Sequence, residues 1–499
     1  MARTTLPLGT LVIDPASDQP LYRQLYDGLR QSILEGRLRP GLQLPSTRHL
    51  ASELAIARNT VIAAYEQLTL EGYLDTTVGA GTLVARTLPE DLLEVGRPKG
   101  RTTTPPPAKM LSKRGEALAA VRRKVVGYQG DQARPFQHGL AAIDEFPSLL
   151  WSRLLARHAR DARHAVMGYE IGAGLPALRD AIADYAGAAR GTICTPDQII
   201  VTTGAQAALD LAARMLLDPG DRVWHEEPGY LGARGAFMGA GATIETVPVD
   251  AEGMKPDDAM ANATPPRLIY VTPSHQFPLG STLSLARRLA LLDYAARSGA
   301  FILEDDYDAE YRFQGRPIAS MQGLDRTGSV IYMGTFAKTL FPALRIGYLI
   351  VPPHLADAFT AALRNTGMAP AAVIQAALAD FIAEGHFAAH VRRMRHLYAE
   401  RRACLIAALE DDLAPWLRVA PGEGGLQLAA LMHPRADDLA AARAADQVDV
   451  SVTPLSNYFL GEPSCRGLHM GYAGIAPQAM QRAVKRMAKA FEAARITRL

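Results

Sequence analysis

Between residues 199 and 351, short apolar runs rich in β-branched and aromatic side chains recur between stretches of helical character. They are Ile199-Ile200-Val201, Arg222-Val223-Trp224, Leu268-Ile269-Tyr270-Val271, Phe301-Ile302-Leu303, Val330-Ile331-Tyr332 and Tyr348-Leu349-Ile350-Val351. Strand and helix alternating in this way predict an α/β domain whose mainly parallel sheet is covered on both faces. From about residue 355 to 499 the pattern shifts to long Ala-rich helices with a few strands, such as Leu426-Gln427-Leu428 and Leu468-His469-Met470. That segment is expected to form a smaller α+β subdomain of one domain spanning 136–499.

The N-terminal segment follows a different pattern. Apolar residues at Leu21, Leu25, Leu29 and Ile33 keep helical spacing, with Gly36 as C-cap. A short helix is expected from the N-cap Ser46, with Leu50 and Leu54 inward, and another from Arg58 to Glu71 burying Val61, Tyr65 and Leu68. Tyr73-Leu74-Asp75 and Thr82-Leu83-Val84-Ala85 then flank a Gly79-Ala80-Gly81 turn. Three helices and a hairpin make a winged helix-turn-helix over 19–87. Residues 88–135, with Thr102-Thr103-Thr104-Pro105-Pro106-Pro107, are expected to be a linker with a helix around 112–126. The linker holds ten Lys or Arg against five Asp or Glu, whereas 19–87 holds seven against six, so the basic surplus lies beside the winged helix.

With 499 residues the chain exceeds a single core. No apolar stretch approaches the roughly 20 residues of a membrane span, and Met1-Ala2-Arg3-Thr4-Thr5 is not followed by a signal-peptide segment. A cytoplasmic protein is expected. Cys194, Cys404 and Cys465 are isolated and far apart, which argues against a disulfide framework or a metal cluster.

Chemistry concentrates at the ends of the apolar runs. Lys338 in Thr335-Phe336-Ala337-Lys338, Arg345 in Arg345-Ile346-Gly347 and Asp305 in Glu304-Asp305-Asp306-Tyr307 suit an aldehyde cofactor with a phosphate tail and a basic ring nitrogen. Lys338 is expected to form the Schiff base. Thr335 and Arg345 offer phosphate donors, joined by the strand-to-helix turn Thr203-Gly204-Ala205-Gln206, whose backbone N–H groups form an anion site. Asp305 would keep a pyridine nitrogen protonated. Tyr307 would donate to a phenolic oxygen, and Tyr230 in Glu227-Pro228-Gly229-Tyr230 would stack on the ring. The implied cofactor is pyridoxal 5'-phosphate (PLP).

On these motifs, residues 136–495 resemble fold-type I class I aminotransferases and residues 20–87 resemble the winged helix of GntR-type regulators. The whole chain resembles the MocR subfamily, which that fusion defines. The resemblance implies Lys338 as the PLP lysine, Asp305 at the pyridine nitrogen, Tyr307 at the phenolic oxygen and Tyr230 on the ring. It places Gly204, Ala205, Gln206, Thr335 and Arg345 at the phosphate. Tyr169, in Gly168-Tyr169-Glu170-Ile171-Gly172, aligns with a tyrosine that reaches the phosphate of the other subunit, which implies a homodimer. Three positions depart from the aminotransferase pattern. Ser274-His275-Gln276-Phe277-Pro278-Leu279-Gly280 lacks the asparagine before Pro-Thr-Gly, with Gln276 or His275 as substitutes; Ala205 replaces a threonine; and Leu468-His469-Met470-Gly471-Tyr472 carries His469 where those enzymes hold a substrate carboxylate with arginine.

For the winged helix, Arg58, Asn59 and Thr60 occupy the end of the helix that would enter the major groove. Resemblance to GntR proteins adds Arg48 and the wing tip at Gly79 and Gly81. The expectation is a PLP-dependent transcriptional regulator that binds double-stranded operator DNA and senses an amine, an amino acid or PLP. The alternative is an active PLP-dependent aminotransferase with an auxiliary DNA-binding module.

Overall fold

The computed structural model describes residues 13–15, 17–77, 81–88, 111–121, 134–160, 167–168, 172–261, 264–313, 318–422 and 424–499. The chain divides into two compact units, Met1–Lys109 and Met110–Leu499. The division falls inside the 88–135 segment.

In the first unit, α1 (Leu21–Leu34), α2 (Thr47–Glu53) and α3 (Arg58–Leu70) precede the antiparallel hairpin of β1 (Leu74–Thr77) and β2 (Gly81–Val84). Ser46 caps α2 as its side chain accepts from His49 N–H at 3.3 Å. Leu25, Leu29, Ile33, Leu50, Val61, Tyr65 and Leu68 form a common buried core, as their spacing predicts; Val84 joins it, and Leu54 packs against it only partly buried. One feature has no counterpart in the sequence pattern. The segment before α2 runs beside β2, with Gly41 and Leu44 N–H donating to Val84 and Thr82 carbonyls at 2.8 Å, so the wing gains a third extended segment.

In the second unit the strands are β3 (Ile199–Thr202), β4 (Arg222–Glu227), β5 (Thr243–Asp250), β6 (Gly253–Met254), β7 (Leu268–Val271), β8 (Phe301–Asp306), β9 (Val330–Thr335) and β10 (Gly347–Ile350). They form one sheet in the order β3-β10-β9-β8-β7-β4-β5-β6. The pairs from β9 to β5 are parallel, whereas β10 runs antiparallel to both neighbours. The β9–β10 connection holds no crossover helix, so the chain must return antiparallel. All expected strands are present. Strands β5 and β6 are additional. Thr243-Ile244-Glu245-Thr246-Val247-Pro248-Val249-Asp250 buries only Val247 and contains a proline, as befits a strand near the sheet edge rather than a buried run.

Within 355–499, β11 (Arg418–Val419), β12 (Gln427–Leu431), β13 (Thr453–Pro454) and β14 (Gly467–Gly471) form a four-stranded sheet in the order β11-β12-β14-β13. It packs with the helices His386–Asp412 and Pro477–Ala493 in a continuous core that includes Leu428, Met470, Tyr398 and Phe491. Residues 135–139 run alongside this sheet, since Gly471 N–H donates to Phe136 O and Ser451 N–H to Pro135 O, both at 2.9 Å. Of the 112–126 helix, Lys113–Ala120 is formed, and its Ser112 side chain accepts from Gly115 N–H at 3.0 Å.

Candidate cofactor site and DNA-binding surface

Sheet alternation sorts the three consecutive acids of β8. Glu304 accepts Met321 and Gln322 N–H at 2.9 Å each, and Asp306 pairs with Arg190 at 2.6 Å and Tyr332 OH at 2.8 Å. Asp305 points the opposite way, accepts from Tyr270 OH at 2.6 Å and lines a cavity of about 400 Å³. Burial first, then the neighbouring Asp306 and Asp308, push its carboxyl up to about 7, against the opposing Tyr270 hydrogen bond and Lys338. A buried carboxyl of this kind is suited to a cationic ring partner, which would restore its charge.

The cavity lies at the C-terminal edge of the parallel strands, where α/β sheets hold ligands. Gly204 (φ +89°) turns β3 into the helix Ala205–Leu216, whose first N–H groups lack intrahelical acceptors. Beside it, Arg345 adopts φ +53° two residues before β10, with Nε 3.9 Å from the place a Cβ on Gly204 would occupy. Thr335 closes β9, and its hydroxyl accepts Ala337 N–H at 3.2 Å. Gly204, Ala205, Gln206, Thr335 and Arg345 all line the same cavity.

Lys338 also lines the cavity, and its Nζ donates to Gly139 O at 3.0 Å. Tyr230 caps the helix Leu231–Ala240, lines the cavity and meets Phe277 edge to face at 5.3 Å. Tyr307 OH lies 3.1 Å from His275 Nδ1, itself 3.1 Å from Asp308. The structure thus brings Lys338, Asp305, Tyr307, Tyr230, Gly204, Ala205, Gln206, Thr335 and Arg345 around one cavity. Tyr169 lies outside the described residues.

The region of the missing asparagine is resolved by side-chain direction. Gln276 donates to Pro228 O at 2.8 Å and Phe277 O at 2.7 Å, and its oxygen accepts Leu279 N–H at 3.1 Å. It pins the loop and does not line the cavity; His275 reaches Tyr307 from behind, and Phe277 is the residue facing in. His469 is also set back. It is fully buried, hydrogen-bonded through Nδ1 to Tyr458 OH at 2.9 Å, and covered by His138 at 5.0 Å and Phe277 at 5.1 Å between ring centres. Sequence reasoning missed Tyr270, Thr272, Phe277, Gln427, His138 and Gly139 in the lining. Tyr270 lies in an expected strand and could have been found from its pairing beside Leu303. His138 and Gly139 carry no local signal.

In the first unit, Arg48, Arg58 and Asn59 are exposed, and Thr60 is half-buried. Arg58 Nε lies 3.4 Å from Thr47 Oγ1, joining the start of α3 to that of α2. Gly81 (φ +83°) begins β2 at the wing, while Gly79 and Ala80 lie outside the described residues. Among the described residues no helix is long and apolar enough to cross a membrane, and no cluster of His, Cys, Asp or Glu could hold a metal ion.

Comparison with known proteins agrees with both halves. Residues 129–487 match the family described as aminotransferase class I and II, and residues 21–84 match bacterial regulatory proteins of the gntR family. The chain is 47% identical over 96% of both sequences to the probable rhizopine catabolism regulatory protein MocR of Rhizobium meliloti. It is 33% identical to the HTH-type transcriptional regulator TauR of Rhodobacter capsulatus, over 97% of this chain and 99% of TauR. The solved structure of LysN, an alpha-aminoadipate aminotransferase of Thermus thermophilus complexed with N-(5'-phosphopyridoxyl)-L-leucine, superposes with a TM-score of 0.70 at 26% identity, covering 76% of this chain and 97% of LysN. Winged helix, fold-type I aminotransferase architecture and full-length relatives together show that this chain belongs to the MocR-type transcriptional regulators of the GntR family.

Proposed function

We propose that this regulator holds PLP on Lys338 and changes its operator binding when an amine, amino acid or PLP effector reaches that site. The single observation that carries the reading is the convergence of Lys338, Asp305 and the Gly204–Arg345 anion site on one cavity. When bound, the cofactor supplies an aldehyde and an electron-withdrawing ring. Lys338 would hold the aldehyde carbon, Asp305 the ring N–H, and Tyr307 the phenolic oxygen. Gly204, Ala205, Gln206, Thr335 and Arg345 would hold the phosphate, Tyr230 would cover the ring, and Tyr169 of a second copy would complete the site in a homodimer.

A packing contact within the second unit supports a route outward. Tyr230 opens the helix Leu231–Ala240, and the Lys113–Ala120 helix lies on that helix's glycine face. Leu118 approaches within 3.9 Å of the Cβ positions of both Gly235 and Gly239, and Val121 within 3.7 Å of Gly235. A ligand that moves Tyr230 therefore moves the support on which the linker is seated. A change of 1.4 kcal/mol in coupling shifts occupancy about tenfold. Arg58, Asn59, Thr60, Arg48 and the Gly79–Gly81 wing would read the operator in the cytoplasm. The domains are read as 19–87 for DNA, 88–135 as linker and 136–499 for the cofactor.

An aminotransferase with an auxiliary DNA module would need a grip on its substrate's carboxylate, and neutral, buried His469 offers none. The test is operator binding of the full chain and its Lys338→Ala variant, with and without PLP. Ligand response lost in the variant, with basal DNA binding retained, supports the reading. Equal response in both proteins contradicts it.

A further inference from the structure

The proposed function needs the single proton of the Tyr307 hydroxyl to point into the cavity, at the phenolic oxygen of the cofactor. On its other side that hydroxyl lies 3.1 Å from His275 Nδ1. A ring nitrogen without a proton would accept the hydroxyl proton and turn it away from the cavity. A ring nitrogen carrying one would donate to the hydroxyl oxygen and leave the hydroxyl proton free to point inward. The proton on this one nitrogen therefore decides what Tyr307 offers to a ligand.

Asp308 fixes that proton. Its two oxygens lie 3.1 and 3.2 Å from the same Nδ1, and a carboxylate only accepts, so Nδ1 must donate. Whether or not Nε2 is protonated as well, the ring shows the same N–H to Tyr307. His275 is 8% exposed and Asp308 1%, so each is left to the other rather than to water. Asp308 is held where β8 ends, its carbonyl accepting Tyr311 N–H at 3.0 Å. Two glycines make room for the pair. A Cβ on Gly425 (φ +85°) would lie 2.6 Å from His275 Nδ1 and 2.8 Å from Asp308 Oδ2, and one on Gly280 (φ +84°) would lie 3.1 Å from Nε2. Burial first, then the Asp308, Asp305 and Glu226 carboxyls, hold the Tyr307 hydroxyl well above its usual range, so its proton stays on oxygen. A Gln427 side-chain hydrogen bond opposes this, as a donor to the same oxygen does. With His275 and Gln427 donating to it, the hydroxyl is left to aim its own proton at the cavity that Tyr307 lines.

We propose that Asp308 and His275 are positioning residues: Asp308 keeps a proton on His275 Nδ1, and that N–H turns the Tyr307 hydroxyl proton toward the phenolic oxygen of the bound cofactor. The inference rests on the proposed cofactor reading and deepens it. No proton changes hands; the pair sets the direction of one hydrogen bond, as an aspartate behind a histidine can.

The test follows the pH midpoint at which the visible band of PLP bound to the full chain titrates. A hydroxyl donated to the phenolic oxygen competes there with the imine proton, so its loss raises the midpoint, by about 1 to 2 pH units for one charge-assisted hydrogen bond. Tyr307→Phe sets the full effect. Asp308→Asn, whose amide can donate to Nδ1 and leave the ring proton on Nε2, should also raise the midpoint, although loss of a nearby negative charge by itself would lower it. In the Tyr307→Phe background the same change should raise it no further. A matched pair at His275 tests the N–H without touching Asp308. The amide nitrogen of His275→Asn falls where Nδ1 was and should keep the midpoint near that of the wild type; that of His275→Gln falls where Nε2 was and should raise it. If Asp308→Asn does not fold, the His275 pair decides alone. A midpoint that fails to rise in Tyr307→Phe or in folded Asp308→Asn, a further rise in the double variant, or equal midpoints in His275→Asn and His275→Gln overturns the proposal. A wild-type chain with no borohydride-trapped PLP on Lys338 would instead sink the cofactor reading, and this inference with it.

Discussion

Gly347 ties the packing of the sheet to the proposed phosphate turn. It begins β10 between two strands, paired with Thr202 on one side and Thr335 on the other. A Cβ there would lie 2.9 Å from Gly204 C, 3.0 Å from Ala205 N and 3.1 Å from Gly204 Cα. Ordinary contact begins near 3.4 Å, so Gly347→Ala must open the gap by about 0.5 Å. All three neighbours are backbone and cannot swing aside. β10 is clamped by its two partners, so the Gly204–Ala205 turn is the part that yields. Overpacking of this kind costs about 1–3 kcal/mol. The displaced turn also loses alignment with Arg345, and forfeiting one charge-assisted hydrogen bond weakens PLP roughly 10- to 100-fold. The assay is urea denaturation without ligand together with a PLP titration followed by absorbance. Gly187→Ala is the control: that helical glycine would meet only Thr192 O at 3.7 Å, and the change should be neutral or stabilising by up to about 1 kcal/mol. If Gly347→Ala keeps wild-type stability and binds PLP within twofold, the close approach is not what shapes the phosphate turn.

Asp305→Asn should weaken PLP by about 10- to 1,000-fold, because the ion pair it removes favours a charged partner by 1–3 pKa units; an unchanged titration would remove Asp305 from the ring nitrogen. Burial first pushes the Asp305 carboxyl up to about 7, so the folded cofactor-free chain keeps a proton there that the unfolded chain releases between about 4 and 7. The stability of the wild-type chain relative to Asp305→Asn should therefore fall as pH rises across that window and level off above it; a difference that instead grows in favour of the wild type from pH 5 to 7 would contradict this. Asn59→Ala and Arg58→Ala should each cost about 1–3 kcal/mol of operator affinity and relax the base preference at one position, measured by titration against operator variants. Leu118→Glu, on the outer helix seated over Gly235 and Gly239, should leave PLP binding intact and uncouple it from DNA binding; full coupling in that variant would discard the route through Tyr230.

Much of the fold was legible because it is written in periodicity. Buried strands such as Ile199–Thr202 and Val330–Thr335 are continuous apolar runs, and the α1 spacing of Leu25, Leu29 and Ile33 maps onto buried positions. Thr243–Asp250 was not legible, because a strand with only Val247 buried and an internal proline has no run to detect. Asp305 was marked by its place at the end of an apolar run and by the resemblance; that Glu304 and Asp306 turn to other partners while Asp305 faces the cavity is seen only in the side-chain contacts. His138, Gly139 and Gln427 were illegible for a different reason. They reach the cavity through the pairing of residues 135–139 and of β12 with β14, contacts between segments hundreds of residues apart or set by sheet order. Gln276 and His275 show the limit from the other side: the resemblance marked the loop, but only the direction of each side chain reveals that Phe277 is the one facing in.

The amine of Lys338 carries the proposed function. Full-length protein incubated with PLP, reduced with borohydride and digested should yield one pyridoxyl-modified peptide, the one containing Lys338, and Lys338→Ala should yield none. No modified peptide, or modification confined to another lysine, would contradict it.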